Sequence, residues 1–491
     1  MVFNSAEFLL FFPVACLLYY IVPKKGRNVF LLLVSYVFYL WWNPKYIIWM
    51  IISTLSTWWL GRKVGMEKSA PKKKWYIIAA VVLNLGILVF FKYLNFAAGT
   101  IVRFFAMAHI TLHVPAFDFV QPLGISFYTF QVIGYMVDVY RGKTEAEESL
   151  VNYALFVSFF PKLLAGPIER SVSFLPQVKE NHPFRLEQVR RGLLLMLFGY
   201  FQKVVLSGYL EIAANTAFNG WTTRTGFQML LAMFCFTFQI YCDFSSYSNL
   251  ATGAAEVMGF QLMKNFDTPY FAVSVTDFWR RWHISLSTWF RDYLYIPLGG
   301  NRKGELRKQI NRMVVFLVSG LWHGADWHYV IWGGLNGAYQ WIGDLLKPVR
   351  KKVMKVLHVN EEETSHKLLQ ILITFLLISV TWVFFRARSV KESVFILMRI
   401  MHLDGYEWFN WGNNLKMLGL SLATRNVLVI SLGIQFVADL LLYRRVDMRG
   451  WFLRQGLWLR WVILYIAIFG ILIFGVYGPG YDASQFIYTQ F

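Results

Sequence analysis

Long apolar runs alternate with short basic ones along most of this chain. The runs fall at about 4–22, 28–43, 45–60, 75–95, 119–139, 150–165, 190–208, 226–260, 310–322, 326–346, 367–386, 426–443 and 460–478. A helix of about 20 apolar residues crosses the hydrocarbon of a bilayer, so the pattern predicts an all-α polytopic membrane protein. The 226–260 run is long for one crossing and leaves room for a break. No linker, low-complexity segment or internal repeat divides the chain, which predicts a single membrane domain over 1–491.

Two stretches depart from the pattern. IVRFFAMAHITLHVPAF (101–117) mixes apolar and basic residues and is expected to lie along the membrane interface. TDFWRRWHISLSTWFRDYLYIP (276–297) is too charged to face lipid and too apolar for a solvated loop. Such a segment belongs inside protein, as a helix or re-entrant element. Read as one helix, it puts His283, Ser287 and Arg291 on one face and Phe278, Trp282 and Trp289 on another. Asp277 and Arg281 then stand one turn apart and are expected to pair.

Composition supports the membrane reading. Apolar residues make up 57% of the 491 positions and charged residues only 15%, where a soluble chain has about a quarter charged. Mean hydropathy is +0.44. The net charge of +20 does not point to nucleic acid, because it sits in short clusters between the apolar runs. These are PKKGRN (23–28), GRKVGMEKSAPKKK (61–74), NRKGELRKQINR (301–312), KPVRKKVMK (347–355) and RRVDMRGWFLR (444–454). Short Lys/Arg-rich loops stay cytoplasmic and meet anionic headgroups. The first run lacks a signal peptide's basic start and cleavage site. It is expected to be a retained span, with the N-terminus outside and Lys24, Lys25 and Arg27 inside. Cys16, Cys235 and Cys242 lie in apolar runs without C-x-x-C spacing, which predicts neither a disulfide framework nor a zinc site.

Candidate chemistry concentrates in SGLWHGADWH (319–328), at the end of an apolar run. His323 lies eleven residues beyond Arg312, so a helix places it about 16 Å from the basic cluster. That is near the middle of a hydrocarbon layer about 30 Å thick, where an ionisable side chain marks a functional site by default. Gly324 would let the helix bend or a second backbone approach. A histidine there serves either as a base or as a structural hydrogen-bonding group between helices. His328, about 140° around a continuous helix from His323, is expected at an interface. H-x-x-x-x-H does not put two metal ligands on one helical face. No G-x-S-x-G elbow or phosphate-binding loop occurs. A neutral imidazole that accepts a proton from a hydroxyl or thiol fits what is present, and His283 is the candidate second member.

QIYCDFSSYSNLATGAAEVMGF (239–260), DFWRRWHISLSTWFRDYLYIPLGG (277–300) and SGLWHGADWHYVIWGGLNG (319–337) together resemble the membrane-bound O-acyltransferase family, in its bacterial alginate-O-acetylation branch. LGISFYTFQVIGYMVDVYRG (123–142), FPKLLAGPIER (160–170), TWVFFRA (381–387) and the terminal QFIYTQF extend the likeness in matching order. Two departures are SSYSN at 245–249, where relatives often have S-G-Y-S-D, and the threonine of QFIYTQF, where an aromatic is common. The resemblance implies tilted helices with short re-entrant or interfacial pieces around a central tunnel. It implies His323 as the principal base and His283 as the second catalytic position. Trp282, Ser287, Arg291, Trp322, Asp243 and Asn336 are then expected along the tunnel.

It further implies an acyl thioester, acetyl-CoA in this branch, as a cytoplasmic donor substrate, with no bound cofactor or metal. An extracytoplasmic acetyltransferase-like partner and a polysaccharide acceptor are expected outside a bacterial plasma membrane. The related D-alanine exporters of teichoic acid D-alanylation use a carrier-protein thioester instead. From the residues alone, a transporter or flippase with histidine proton relays and a scaffold for a partner enzyme remain alternatives. The lack of a two-fold repeat counts against the transporter.

Overall fold

The computed structural model describes residues 1–477 apart from 115, 116, 118, 119, 165, 361 and 403–409, and every regular element among them is helical. The QFIYTQF motif lies outside the described residues, as do Pro115 and Ala116 of the 101–117 stretch. Contacts gather the chain into two compact units, the first formed by Met1–Leu193 and Leu250–Met263, the second by Leu194–Asn249 and residues from Lys264 onward.

The first unit holds α1 (Ala6–Ile21), α2 (Arg27–Leu40), α3 (Ile47–Met66), α4 (Ala70–Lys92), α5 (Leu94–Met107) and α6 (Ile125–Tyr140). It continues with α7 (Leu150–Ser158), α8 (Phe160–Leu163), α9 (Ser171–Lys179) and the start of α10 (Leu186–Tyr200). α3 packs against α4, α6 and α7, and α2 against α7. α6 is buried nearly all round, including its polar Ser126, Thr129, Gln131 and Asp138. A hydroxyl pair 2.7 Å apart, Thr57 with Tyr153, ties α3 to α7. The predicted 150–165 span is not one helix. It stops at Phe159, because Pro161 at the start of α8 has no N–H to continue the ladder.

The second unit opens with the rest of α10, a seven-residue π-helical stretch at Phe201–Ser207, and α11 (Gly208–Asn219). α12 (Gly226–Val257) runs 32 residues without the break its length allowed. Then follow α13 (Val275–Arg281), α14 (Ile284–Phe290), a π-helical turn at Arg291–Tyr295, α15 (Glu305–His323), α16 (Trp327–Val356) and α17 (Thr364–Arg386). The last described elements are α18 (Val390–Met401), α19 (Trp411–Met417), α20 (Leu422–Tyr443), α21 (Met448–Leu453) and α22 (Leu457–Phe474). Among the described residues six helices are long and apolar enough to cross a membrane: α4, the continuous line Leu186–Asn219, α12, α17, α20 and α22. The protein is an all-α, multi-pass membrane protein.

The 276–297 stretch departs from the single helix predicted for it. Trp282 is extended and His283 is left-handed, with φ +43°, so α13 and α14 are separate. His283 caps α14 and does not lie on a continuous helical face with Ser287 and Arg291. Asp277 and Arg281 do pair, at 2.9 Å.

α15 and α16 form a tight hairpin because glycines line its seam. A Cβ on Gly320 would strike the carbonyl of Tyr329, and one on Gly333 the carbonyl of Phe316. Small residues at a helix interface let backbones approach, which in a membrane is where packing energy comes from. A methyl on the adjacent Gly334 meets only Leu317 Cδ2, at an ordinary 3.5 Å.

Across the π-helical stretch, Lys203 Nζ donates to Asp243 Oδ1 of α12 at 2.5 Å, with both side chains buried. Beside it Gln202 donates to Ser245 Oγ (3.1 Å) and Gln435 Oε1 (3.0 Å) and accepts from Asn249 Nδ2 (2.8 Å). The extra residue of a π turn aims consecutive polar side chains inward, a device frequent at functional sites.

Two outcomes follow from this packing. Gly333→Leu should lower the yield of monodisperse protein in detergent size-exclusion chromatography, whereas Gly334→Ala should match the parent. Lys203→Met, which strands a buried carboxylate, should destabilise by about 3–5 kcal/mol in thermal unfolding. The double variant Lys203→Met/Asp243→Leu should recover most of that loss.

Candidate active site

The two histidines singled out from the sequence come together in the second unit. His323 is the last residue of α15 and only 4% exposed. The helix ends there because Gly324 is extended and is followed by the Asp326 cap, whose carboxylate accepts from His328 N at 3.2 Å. The expectation that Gly324 lets the helix bend or a second backbone approach is not met: the helix ends before it, and its missing Cβ makes room for the Tyr329 ring. The close backbone approach is one turn earlier, at Gly320.

The His323 ring stands edge-on in an aromatic enclosure. Its centroid lies 4.9 Å from Trp322, 5.1 Å from Trp332 of α16 and 5.5 Å from Phe385 of α17. His283, 1% exposed, packs perpendicular to Phe244 of α12 at 4.6 Å, and Trp322 lies 6.1 Å away. The two imidazole centroids are 6.5 Å apart. Five elements therefore meet at the pair: α12, the α13–α14 turn, α16, and the ends of α15 and α17.

A left-handed backbone at a residue with a side chain costs about 1–2 kcal/mol. Here the surroundings impose it. Trp282 fits wholly into an aromatic stack with Phe278 (5.4 Å), Trp382 (5.1 Å) and Phe266 (5.1 Å). Ser287 Oγ returns to the Trp282 carbonyl at 3.2 Å. Outside the spans, Asp267 backs the turn, accepting from Lys264 (2.6 Å) and from both Arg445 amino groups (3.1 Å each). Partial burial pushes its carboxyl up, but the bonds and charges of Lys264 and Arg445 outweigh this and hold it below the usual carboxylate range.

The remaining predicted residues divide. Trp322 lies beside both histidines. Trp282 and Ser287 shape the turn that carries His283. Asp243 is one residue from Phe244 and engages Lys203. Asn336 accepts from Trp279 Nε1 at 3.1 Å and donates to the Trp332 carbonyl at 2.9 Å, clamping α13 to α16. Arg291 does not join this group: its side chain is 60% exposed and pairs with Asp292 at 2.8 Å. His328 has a structural place, its Nδ1 2.9 Å from the Phe384 carbonyl. Among the described residues no three His, Cys, Asp or Glu side chains gather as a metal-ligand set.

Sequence reading did not single out Phe244, Trp332, Phe385, Lys203 or Asn265. Lys203 carried a signal, as a lysine inside an apolar span. Asn265 carried none, since an asparagine in a loop reads as a turn former.

The family model for membrane-bound O-acyltransferases matches residues 146–386, which include both histidines. A probable alginate O-acetylase of Pseudomonas aeruginosa is 39% identical over 405 residues, covering 80% of this chain and 73% of that protein. A peptidoglycan O-acetyltransferase of Helicobacter pylori is 34% identical over 437 residues, 82% of this chain and 80% of the relative. A teichoic acid D-alanyltransferase of Bacillus subtilis is 28% identical over 243 residues, 46% of this chain and 60% of the relative. On this footing the chain belongs to the membrane-bound O-acyltransferase family and is an acyltransferase.

Proposed function

We propose that this protein transfers an acetyl group from a cytoplasmic thioester, acetyl-CoA, toward an extracytoplasmic polysaccharide or cell-wall polymer, in a bacterial cytoplasmic membrane. The observation that carries this reading is the buried pair His323–His283, with centroids 6.5 Å apart. A hydrogen bond spans about 3 Å, so one reacting oxygen can lie within reach of both rings. His323 takes the proton of the acceptor hydroxyl as its oxygen attacks the thioester carbonyl. The tetrahedral adduct then collapses, the C–S bond breaks, and the thiolate leaves as CoA after taking up the proton. His283 orients the acyl donor or shares that proton.

The aromatic walls suit the task because they keep bulk water, a competing nucleophile, from the thioester. This reading requires a tunnel that reaches the pair from both faces and admits donor and acceptor. An extracytoplasmic acetyltransferase-like partner receives the acyl group and passes it to the polymer. Acetyl transfer is preferred to D-alanyl transfer because likeness to the O-acetyltransferase relatives spans 80% or more of the chain, against 46% for the D-alanyltransferase.

His323→Ala should abolish polymer acetylation, measured as ester acetate per sugar, with membrane-inserted protein at the parental level. His328→Ala should keep transfer per folded molecule within about threefold of the parent, since it removes one neutral bond away from the reacting atoms. Unchanged acetylation in His323→Ala would reject the assignment. Labelled acetyl-CoA that releases no CoA in the presence of acceptor would favour transport without covalent chemistry.

A further inference from the structure

The loop after α12 and the His283 turn run side by side and are stitched by backbone bonds. Asp267 N donates to the Arg281 carbonyl, and Ile284 N to the Asn265 carbonyl, each at 2.9 Å. The Asn265 side chain extends the stitching. Its Oδ1 accepts from Ser285 Oγ at 2.7 Å and from Ser285 N at 3.4 Å. Its Nδ2 donates to Ser248 Oγ of α12 at 3.1 Å. Asn265, Ser248 and Ser285 are all buried. One asparagine thus holds both residues that follow His283, and ties them to α12.

Ser248 lies one helical turn after Phe244, whose ring backs the His283 imidazole. The same stretch of α12 therefore supports the ring and anchors the clamp. We propose that Asn265 is a positioning residue for acyl transfer: its amide locks the first turn of α14 to α12 and so keeps the left-handed His283 facing His323. This rests on the reading of the histidine pair as the catalytic site. Removing the amide leaves the Ile284–Asn265 backbone bond in place, so the fold persists while the turn relaxes. Displacing a reacting group by about 1 Å costs on the order of a hundredfold in rate.

The test uses native membranes carrying full-length variants, with labelled acetyl-CoA as donor and acceptor-dependent CoA release as the readout, normalised to folded protein from size-exclusion chromatography. Asn265→Ala should lower kcat by about ten- to a hundredfold. Its KM for acetyl-CoA should stay within about threefold, the signature of an interaction made in the transition state. Asn265→Asp, which keeps an acceptor for Ser285, should recover part of the rate. Ser285→Ala removes one hydroxyl bond and should lower kcat a few-fold, which tests the clamp even if Asn265→Ala fails to fold. Parental kcat in these variants, or a loss matched by lost folded protein, overturns the proposal. An inactive His283→Ala beside a fully active Asn265→Ala sinks the clamp alone. A fully active His283→Ala sinks the reading on which it rests.

Discussion

A backbone N–H or C=O away from water has to find its partner within the protein, at a cost of several kcal/mol where it does not. That constraint shapes this chain from end to end. Among the described residues the regular backbone is all helical, because a helix closes its own hydrogen bonds. Wherever the helix stops inside the protein, something specific replaces the missing bonds. Ser35 Oγ takes the Phe160 N–H at 3.1 Å where α7 gives way to α8. Asn265 and Asp267 do the same at the His283 turn. Asn311 accepts that task after the second π-helical turn, donating to the Gly300 carbonyl at 2.9 Å.

The same constraint explains why the two histidines stand where they do. Helix interiors present side chains at fixed intervals along a cylinder, and cannot re-aim one of them independently of its neighbours. Helix ends and turns can. His323 occupies the last position of α15, His283 the left-handed residue between α13 and α14, and each is held by a break in regular structure that the neighbouring packing stabilises. The π-helical stretch at Phe201–Ser207 belongs to the same class of device. Its extra residue turns Gln202 and Lys203 together toward α12, where Asp243, Ser245 and Asn249 receive them.

Aromatic side chains supply the rest of the enclosure. Trp282, Trp332 and Trp382 are fully buried in the second unit, and Trp382 lies tilted against Trp282 at 5.1 Å and stacked on Trp332 at 5.6 Å between centroids. Large rigid rings fix a cavity wall with few rotatable bonds, and bury much apolar area for each residue ordered. For an acyltransferase this has a chemical consequence. Indole and phenyl faces around a reacting acyl group exclude bulk water, a competing nucleophile. Asp243, by contrast, has its charge balanced by Lys203, which keeps a carboxylate in the interior.

Much of this was legible in the chain. The alternation of apolar runs and basic clusters determined an all-α membrane protein, and located α1, α2, α12, α17, α20 and α22 within four residues at each end, because hydrocarbon thickness limits the length of an apolar span. The depth of His323 beyond Arg312 and the charged character of 276–297 marked both catalytic candidates, since ionisable groups rarely enter such surroundings without cause. Periodicity could not show that 276–297 breaks at His283, because no glycine or proline announces a left-handed residue imposed by packing. It therefore grouped Arg291 with His283, where the structure turns Arg291 outward to Asp292. Nor could it pair Lys203 with Asp243, or assign Asn265 its clamp. Those contacts join positions 17 to 40 residues apart, and only the tertiary structure decides them, because local sequence sets which backbone conformations are cheap while distant packing selects the costly one at His283.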